Sequence, residues 1–179
     1  VAFDLDPIVK TIHLAFRTWH AKTPTFIKPG IDLKSSSINE IWLEYEHFIN
    51  EMDFSNCKEI VFIFSGTTYV QDIKANRPIR LAKEFLKKGI AVIFSYHRWK
   101  KSEPIPEYNG GLLFQIPVDV TIQMLSKIME IKDMENKMFM ISYPHPSIPK
   151  IMNRYKIKSW LCVYDARDDW DEFEKVGQA

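Results

Sequence analysis

Glu59-Ile60-Val61-Phe62-Ile63-Phe64-Ser65-Gly66-Thr67-Thr68 decides the fold of this chain. An apolar run that stops at a Ser-Gly-Thr-Thr turn reads as a short strand buried on both faces, the kind found in parallel sheets. A helix follows over Arg77–Lys88. Pro78 is tolerated in its first turn, Ile79, Ala82, Phe85 and Leu86 share its inner face, and Gly89 ends it. Ile90–Ser95 is then a second apolar strand, running into Tyr96-His97-Arg98-Trp99. Strand, helix and strand of these lengths need a crossover connection, and a crossover makes the two strands parallel.

The same alternation continues downstream. After a Pro- and Gly-containing loop over Ser102–Gly111, strands are expected at Leu112–Ile116, Lys137–Ser142 and Ser159–Tyr164. Helices are expected between them at Thr121–Ile131 and Ile148–Tyr155, and another is expected to begin at Trp170–Val176. The fold class is therefore α/β: a Rossmann-like three-layer sandwich on a mainly parallel sheet. Residues 1–55 read differently, as a helical N-terminal segment that packs on the sheet or precedes it. Asp6-Pro7 starts one helix, with Ile8, Ile12, Ala15, Phe16 and Trp19 at helical spacing. Ser37 and Glu40 form a capping box for a second, striped by Ile41, Tyr45, Phe48, Ile49 and Met52. Residues 56–179 form the Rossmann-like unit.

Composition narrows the class. A chain of 179 residues, 46% hydrophobic and 13% aromatic, has the material for one domain with a real core and is too apolar to be disordered. With 24 basic and 23 acidic residues the net charge is +1, which argues against a nucleic-acid footprint. Cys57 and Cys162 lie far apart and read as reduced thiols in or near the core, as in a cytoplasmic protein. No apolar run approaches the ~20 residues that span a bilayer, and no secretory signal pattern is present. Val1 opens the chain and Gly177-Gln178-Ala179 closes it just as a helix begins, so a piece of a longer protein is expected.

In a parallel sheet every strand points its carboxyl end at the same edge, so polar residues after each strand converge there. Four groups qualify: Ser65-Gly66-Thr67-Thr68, Tyr96-His97-Arg98-Trp99, Tyr143-Pro144-His145, and Tyr164-Asp165 with Asp168-Asp169. The first could cradle a phosphate or sugar through backbone N–H groups, but it lacks a GxGxxG spacing and a Walker lysine, and a tight turn is the plainer reading. His97 could serve as acid or base; holding a neighbouring loop is the plainer role. His145 is pinned between two prolines, which suits recognition and chain reversal alike. Arg98-Trp99-Lys100-Lys101 could touch an anionic headgroup, though such charge runs are commonly solvated loops. Three aspartates at Asp165, Asp168 and Asp169 exceed what one helix cap needs. They could hold Mg²⁺, yet the other strand ends supply aromatics and histidines in place of carboxylates, so no metal is expected. Zinc-ligand spacing and a GxSxG elbow are both missing from the sequence.

These residues resemble a known family. Asn76-Arg77-Pro78 through Phe94 is similar to the "RP..LA..L...G..V.F" segment of bacterial GT-B glycosyltransferases. Met140-Ile141-Ser142-Tyr143-Pro144 and Val163-Tyr164-Asp165-Ala166-Arg167-Asp168-Asp169-Trp170 resemble the "S.P … YD..DD" signature of that family's N-terminal, acceptor-side domain. The likeness runs from Glu59 to Phe173, in the family's order. It implies a transferase that moves a sugar from a nucleotide-sugar donor to a cell-surface polysaccharide or a related, lipid-linked acceptor. Asp165 and Asp168 would be catalytic, with Gly66, Thr67, His97, Arg98, Tyr143, His145 and Asp169 binding acceptor and Tyr96, Trp99 and Tyr143 stacking on a sugar ring. The nucleotide sugar would sit on a C-terminal donor domain of the same protein, leaving this chain without cofactor or turnover of its own. A cytoplasmic location with peripheral membrane contact through Trp99, Lys100 and Lys101 would follow. Many relatives carry His-Asp where Tyr164-Asp165 stands, so no histidine role passes to Tyr164. Two other readings compete: a non-catalytic Rossmann-like binding module, and a Mg²⁺-dependent α/β hydrolase built on the aspartates.

Overall fold

A computed structural model describes residues 35–52, 56–97, 105–132, 134–143, 145 and 148–165. Among them the order is α1 (Ser35–Glu51), β1 (Glu59–Phe64), α2 (Arg77–Lys87), β2 (Ala91–Tyr96), β3 (Leu113–Pro117), α3 (Val118–Met129), β4 (Asn136–Ile141), α4 (Ile148–Ile157) and β5 (Leu161–Tyr164). All five strands are parallel and lie in the order β3-β2-β1-β4-β5. This is the Rossmann-like α/β arrangement expected. The strand order reverses between β1 and β4, beside the centre of the sheet.

Alternation along each strand sorts side chains onto two faces. Phe62, Phe64, Ile93, Phe114, Phe139 and Ile141 join buried residues of α1, α3 and α4 in one core. Val61, Ile63, Val92, Phe94 and Met140 pack on the other side against Ile79 and Ala82 of α2. Aromatic contacts tie the first core together. Phe62 stacks on Phe139 at 5.0 Å, Phe139 stacks on Tyr155 at 4.5 Å, and Trp160 meets Tyr155 edge-on at 4.9 Å. Such pairs contribute roughly 0.5–1.5 kcal/mol each beyond their area burial. Helix α1 belongs to this core, with Phe48 stacked on Phe114 at 5.5 Å and Lys127 of α3 lying 3.6 Å over the Trp42 ring.

The segment after β1 covers the α2 face above β2 and β3. Gln115 grips it as a neighbouring strand would: the Val70 N–H donates to Oε1 at 2.6 Å, and Nε2 donates to the Val70 carbonyl at 3.4 Å. Tyr69 meets Tyr96 edge-on at 5.8 Å. Pairing with β3 thus satisfies backbone groups of a connection that has no regular structure of its own. No helix among the described residues is long and apolar enough to cross a membrane.

Element boundaries depart from expectation in ways that have local causes. The backbone is already helical at Ser35, so Ser37 lies inside α1 and cannot be its cap. Helix α3 begins at Val118, ahead of the expected Thr121, because Pro117 takes the extended cap conformation (φ −61°, ψ 144°) directly at the end of β3. Strand β5 starts at Leu161, since Ser159 and Trp160 finish the preceding helix. The expected helices in residues 6–20 and 170–176 lie outside the described residues.

Two helices end in the same motif. After α2, Gly89 (φ 75°) donates to the Leu86 carbonyl and Ile90 donates to the Phe85 carbonyl, each at 3.0 Å. After α4, Ser159 (φ 65°) donates to Lys156 at 3.2 Å and Trp160 donates to Tyr155 at 3.0 Å. Both are Schellman ends, which put one residue in the left-handed region. Glycine fills that place without strain after α2, whereas a serine does so after α4 at a cost of about 1 kcal/mol. Ser159→Gly should therefore stabilise the domain by roughly 1 kcal/mol, read as a higher urea midpoint at unchanged m-value. An unchanged or lower midpoint would show that the Ser159 side chain compensates for its backbone.

Burial raises the phenols of Tyr45, Tyr143 and Tyr155 well above their ordinary value of 10.0. The unfolded chain therefore loses these protons first as pH climbs. Stability from this source is complete below pH 10.0 and declines above it. Phenolate absorbance and unfolding should rise together in an alkaline titration; ionisation of these tyrosines near their ordinary value in the folded state would contradict the packing.

Candidate functional site at the carboxyl edge

Strand register aligns the carboxyl ends. Phe64 pairs with Ser95 on one side and Ile141 on the other, and Ile141 pairs with Tyr164. The ladder then runs one residue beyond the strands. The Ser65 N–H donates to the Ser95 carbonyl at 3.0 Å, Ser142 N–H to Phe64 at 3.0 Å, and Asp165 N–H to Ile141 at 2.8 Å. Ser65, Ser142 and Asp165 therefore stand in one row. Two-residue alternation places that row on the α2 face, one step after Ile63, Met140 and Val163. Neighbouring strands are spaced by about 4.8 Å, so Asp165 lies about 10 Å from Ser65, across the point where strand order reverses.

Helix α2 overhangs this row. Asn76 caps it, its side-chain oxygen accepting the Ile79 N–H at 3.3 Å while its amide nitrogen donates to the Thr67 hydroxyl. The cap thus fixes the β1 turn and the helix start together. Arg77, the first helical residue, reaches across the reversal so that its Nη2 lies 2.8 Å from Oδ1 of Asp165. The partners differ in surroundings: the arginine side chain is 62% exposed, the aspartate only 5%. Among the described residues, Oδ2 of the same carboxylate is buried and has no hydrogen-bond partner. A buried acceptor left unsatisfied costs on the order of 1–3 kcal/mol, so it marks a place that some donor would stabilise.

The turn after β1 is packed as tightly as it is bonded. Thr67 N–H donates to the Ser65 hydroxyl oxygen at 3.1 Å, and the Thr67 carbonyl accepts from the His97 N–H at 2.7 Å. At Gly66 a side chain has no room, because a Cβ would fall 2.9 Å from both Cγ and Cε2 of Tyr143. The Tyr143 ring also lies 6.2 Å from Phe64, and His145 meets Phe64 edge-on at 5.9 Å.

Of the residues singled out from sequence, Gly66, Thr67, His97, Tyr143, His145 and Asp165 all follow strand ends on this one edge. Arg98, Asp168 and Asp169 lie outside the described residues, as do Trp99, Lys100 and Lys101. One expectation needs correction. Tyr96 is 1% exposed and Tyr143 6%, with their rings already packed on Tyr69 and on Gly66 and Phe64, so neither offers a free ring face for a sugar. His97 and His145 are buried as well. Sequence reasoning missed Arg77 and Asn76. The signal was available: the first turn of any crossover helix in a parallel sheet starts at the carboxyl edge.

Two surface grooves lie elsewhere. One of 360 Å³ between α3 and α4 is lined by Leu125, Met129, Lys150 and Arg154, and another of 610 Å³ runs between α1 and α3 past Glu46, Asn50 and Lys127. Both are lined mostly by helix residues and contain none of the strand-end groups. Among the described residues no three or more His, Cys, Asp or Glu gather closely enough to hold a metal ion. Cys57 and Cys162 are free thiols, and burial pushes Cys162 up to about 11, which leaves it a poor nucleophile. Comparison with known proteins gives no match to any family model, curated protein or solved structure.

Gly66→Ala should destabilise the chain by about 1–3 kcal/mol through overpacking against Tyr143. Combined with Tyr143→Ala, the same change should cost less than half as much in a double-mutant cycle. Additive losses would mean that Gly66 is required for some reason other than the ring above it.

Proposed function

We propose that this chain is the acceptor-binding half of a glycosyltransferase that moves a sugar from a nucleotide-sugar donor to a surface glycan or related lipid-linked acceptor. The observation that carries the reading is the convergence of Gly66, Thr67, His97, Tyr143, His145 and Asp165 on one edge of an all-parallel sheet, at the reversal of strand order. Open α/β sheets bind ligands there. Ser142-Tyr143 and Tyr164-Asp165, parts of the motifs that resemble GT-B enzymes, stand at the ends of β4 and β5 on that edge.

Sugar transfer passes through an oxocarbenium-like state while a nucleoside diphosphate departs. Stabilising that leaving group is the heavier electrostatic demand, and in this proposal it falls to a donor-binding domain facing the edge described here. The present domain supplies acceptor orientation. Asp165 is the group best placed to receive the proton of an attacking hydroxyl, since its Oδ2 is an acceptor with no donor among the described residues. Holding Asp165 in place falls to Arg77.

Transfer assays with the parent protein test this. Asp165→Asn should lower kcat by about 100-fold or more while leaving the melting temperature of the domain near wild type. The 179-residue chain by itself should transfer nothing. Wild-type kinetics in the variant would remove Asp165 from the mechanism, and Mg²⁺-dependent hydrolysis by the isolated chain would replace the transferase with a hydrolase.

A further inference from the structure

We propose that Arg77 and Asp165 form a two-part subsite for an acidic sugar, a polyol bearing a phosphate or carboxylate beside a free hydroxyl. The inference rests on the acceptor-edge reading for which side of the sheet meets ligand. Its own support is the state of the ion pair.

Arginine and a carboxylate can pair through two parallel hydrogen bonds, fork to fork. Here the pair uses one contact, Nη2 to Oδ1 at 2.8 Å. Among the described residues Oδ2 stays buried without a donor, while the guanidinium sits on a side chain that is 62% exposed. The exposed guanidinium donors face solvent as in any surface pair, so the buried, unpaired Oδ2 is what sets this one apart. What the arrangement leaves unpaired is a buried hydrogen-bond acceptor, beside cationic donors that face solvent.

Three features fit that pair to an acidic sugar. A carboxylate oxygen accepts only, so its missing partner is an O–H or N–H donor, as sugar hydroxyls are. The arginine head is 62% exposed and fixed at one point, so it can turn outward to an oxyanion while still touching Oδ1. The first turn of α2 adds its positive end, with the Asn76 side chain already occupied by Ile79 N–H. Inorganic phosphate would meet Arg77 but also the Asp165 charge, and has no ring hydroxyl to offer alongside its anion. A neutral sugar would satisfy Oδ2 and leave Arg77 unused. Only a ligand with both groups answers both halves.

Arg77 is thus a positioning residue for Asp165 and a specificity residue for the anion. Glucose 1-phosphate, glucuronic acid, glucose and inorganic phosphate are titrated separately into the full 179-residue chain, followed by NMR shifts of the Arg77 and Asp165 amides. Both acidic sugars should bind about tenfold or more tightly than glucose or phosphate, as expected when a charged hydrogen bond is added. Either order between the two acids upholds the subsite and tells which acid it prefers. Arg77→Gln should reduce acidic sugars to the level of glucose, and Asp165→Asn to the level of phosphate. Arg77→Lys, which keeps the charge without the fork, should retain the preference for acid at reduced strength. Equal affinity for glucose and the two acids overturns the proposal, as do unchanged affinities in Arg77→Gln and Asp165→Asn. A parent protein that transfers no sugar, with this binding pattern intact, would remove the transferase reading and keep the subsite. An active parent with unaltered binding in both variants would do the opposite.

Discussion

Parallel hydrogen bonding that runs one residue past the strands is the constraint on which the rest of this molecule depends. The N–H groups of Ser65, Ser142 and Asp165 continue the ladder of β1, β4 and β5, so three polar side chains are held in a row by backbone geometry alone. No loop has to find them a place. The row can exist only because the strands beneath it are buried on both faces by aromatic and branched side chains, with α1, α3 and α4 on one side and α2 on the other. Core packing and site geometry are thus two consequences of one register.

The connection after β1 does a second job. Asn76 joins the turn to the helix start, Gln115 clips Val70 to the edge strand, and His97 N–H holds Thr67 from the end of β2. Those contacts set where α2 begins, and hence where Arg77 can reach. The resulting pair with Asp165 is lopsided, one partner solvated and the other buried with one oxygen unpaired among the described residues. A purely structural bridge would gain by using both oxygens. The proposed acidic-sugar subsite would account for an arrangement that stops short of that.

Much of this was legible in the sequence. Ile60–Phe64, Val92–Phe94 and Phe139–Ile141 are apolar runs too short for helices, and each ends in polar residues, so strand identity and the shared edge followed from pattern. Boundaries moved where backbone chemistry overrode pattern: Pro117 starts α3 early, and Ser159 adopts a conformation that composition would assign to glycine. The exposed tyrosines imagined at the edge turned out to be core, because a polar hydroxyl on a large ring says little about which way the ring packs. Arg77 was read as a helix start and as part of the segment resembling GT-B enzymes, and was given no place in the site. Its reach to Asp165 depends on the strand order, which periodicity does not carry.

Backbone amide shift mapping of the 179-residue chain with an acidic oligosaccharide tests the central claim most directly, because it locates the ligand without assuming any chemistry. The account predicts that perturbed amides cluster at Ser65–Thr67, Arg77, Ser142–Tyr143 and Asp165. Shifts confined to the groove between α3 and α4, around Lys150 and Arg154, would contradict it and move the binding surface off the sheet edge.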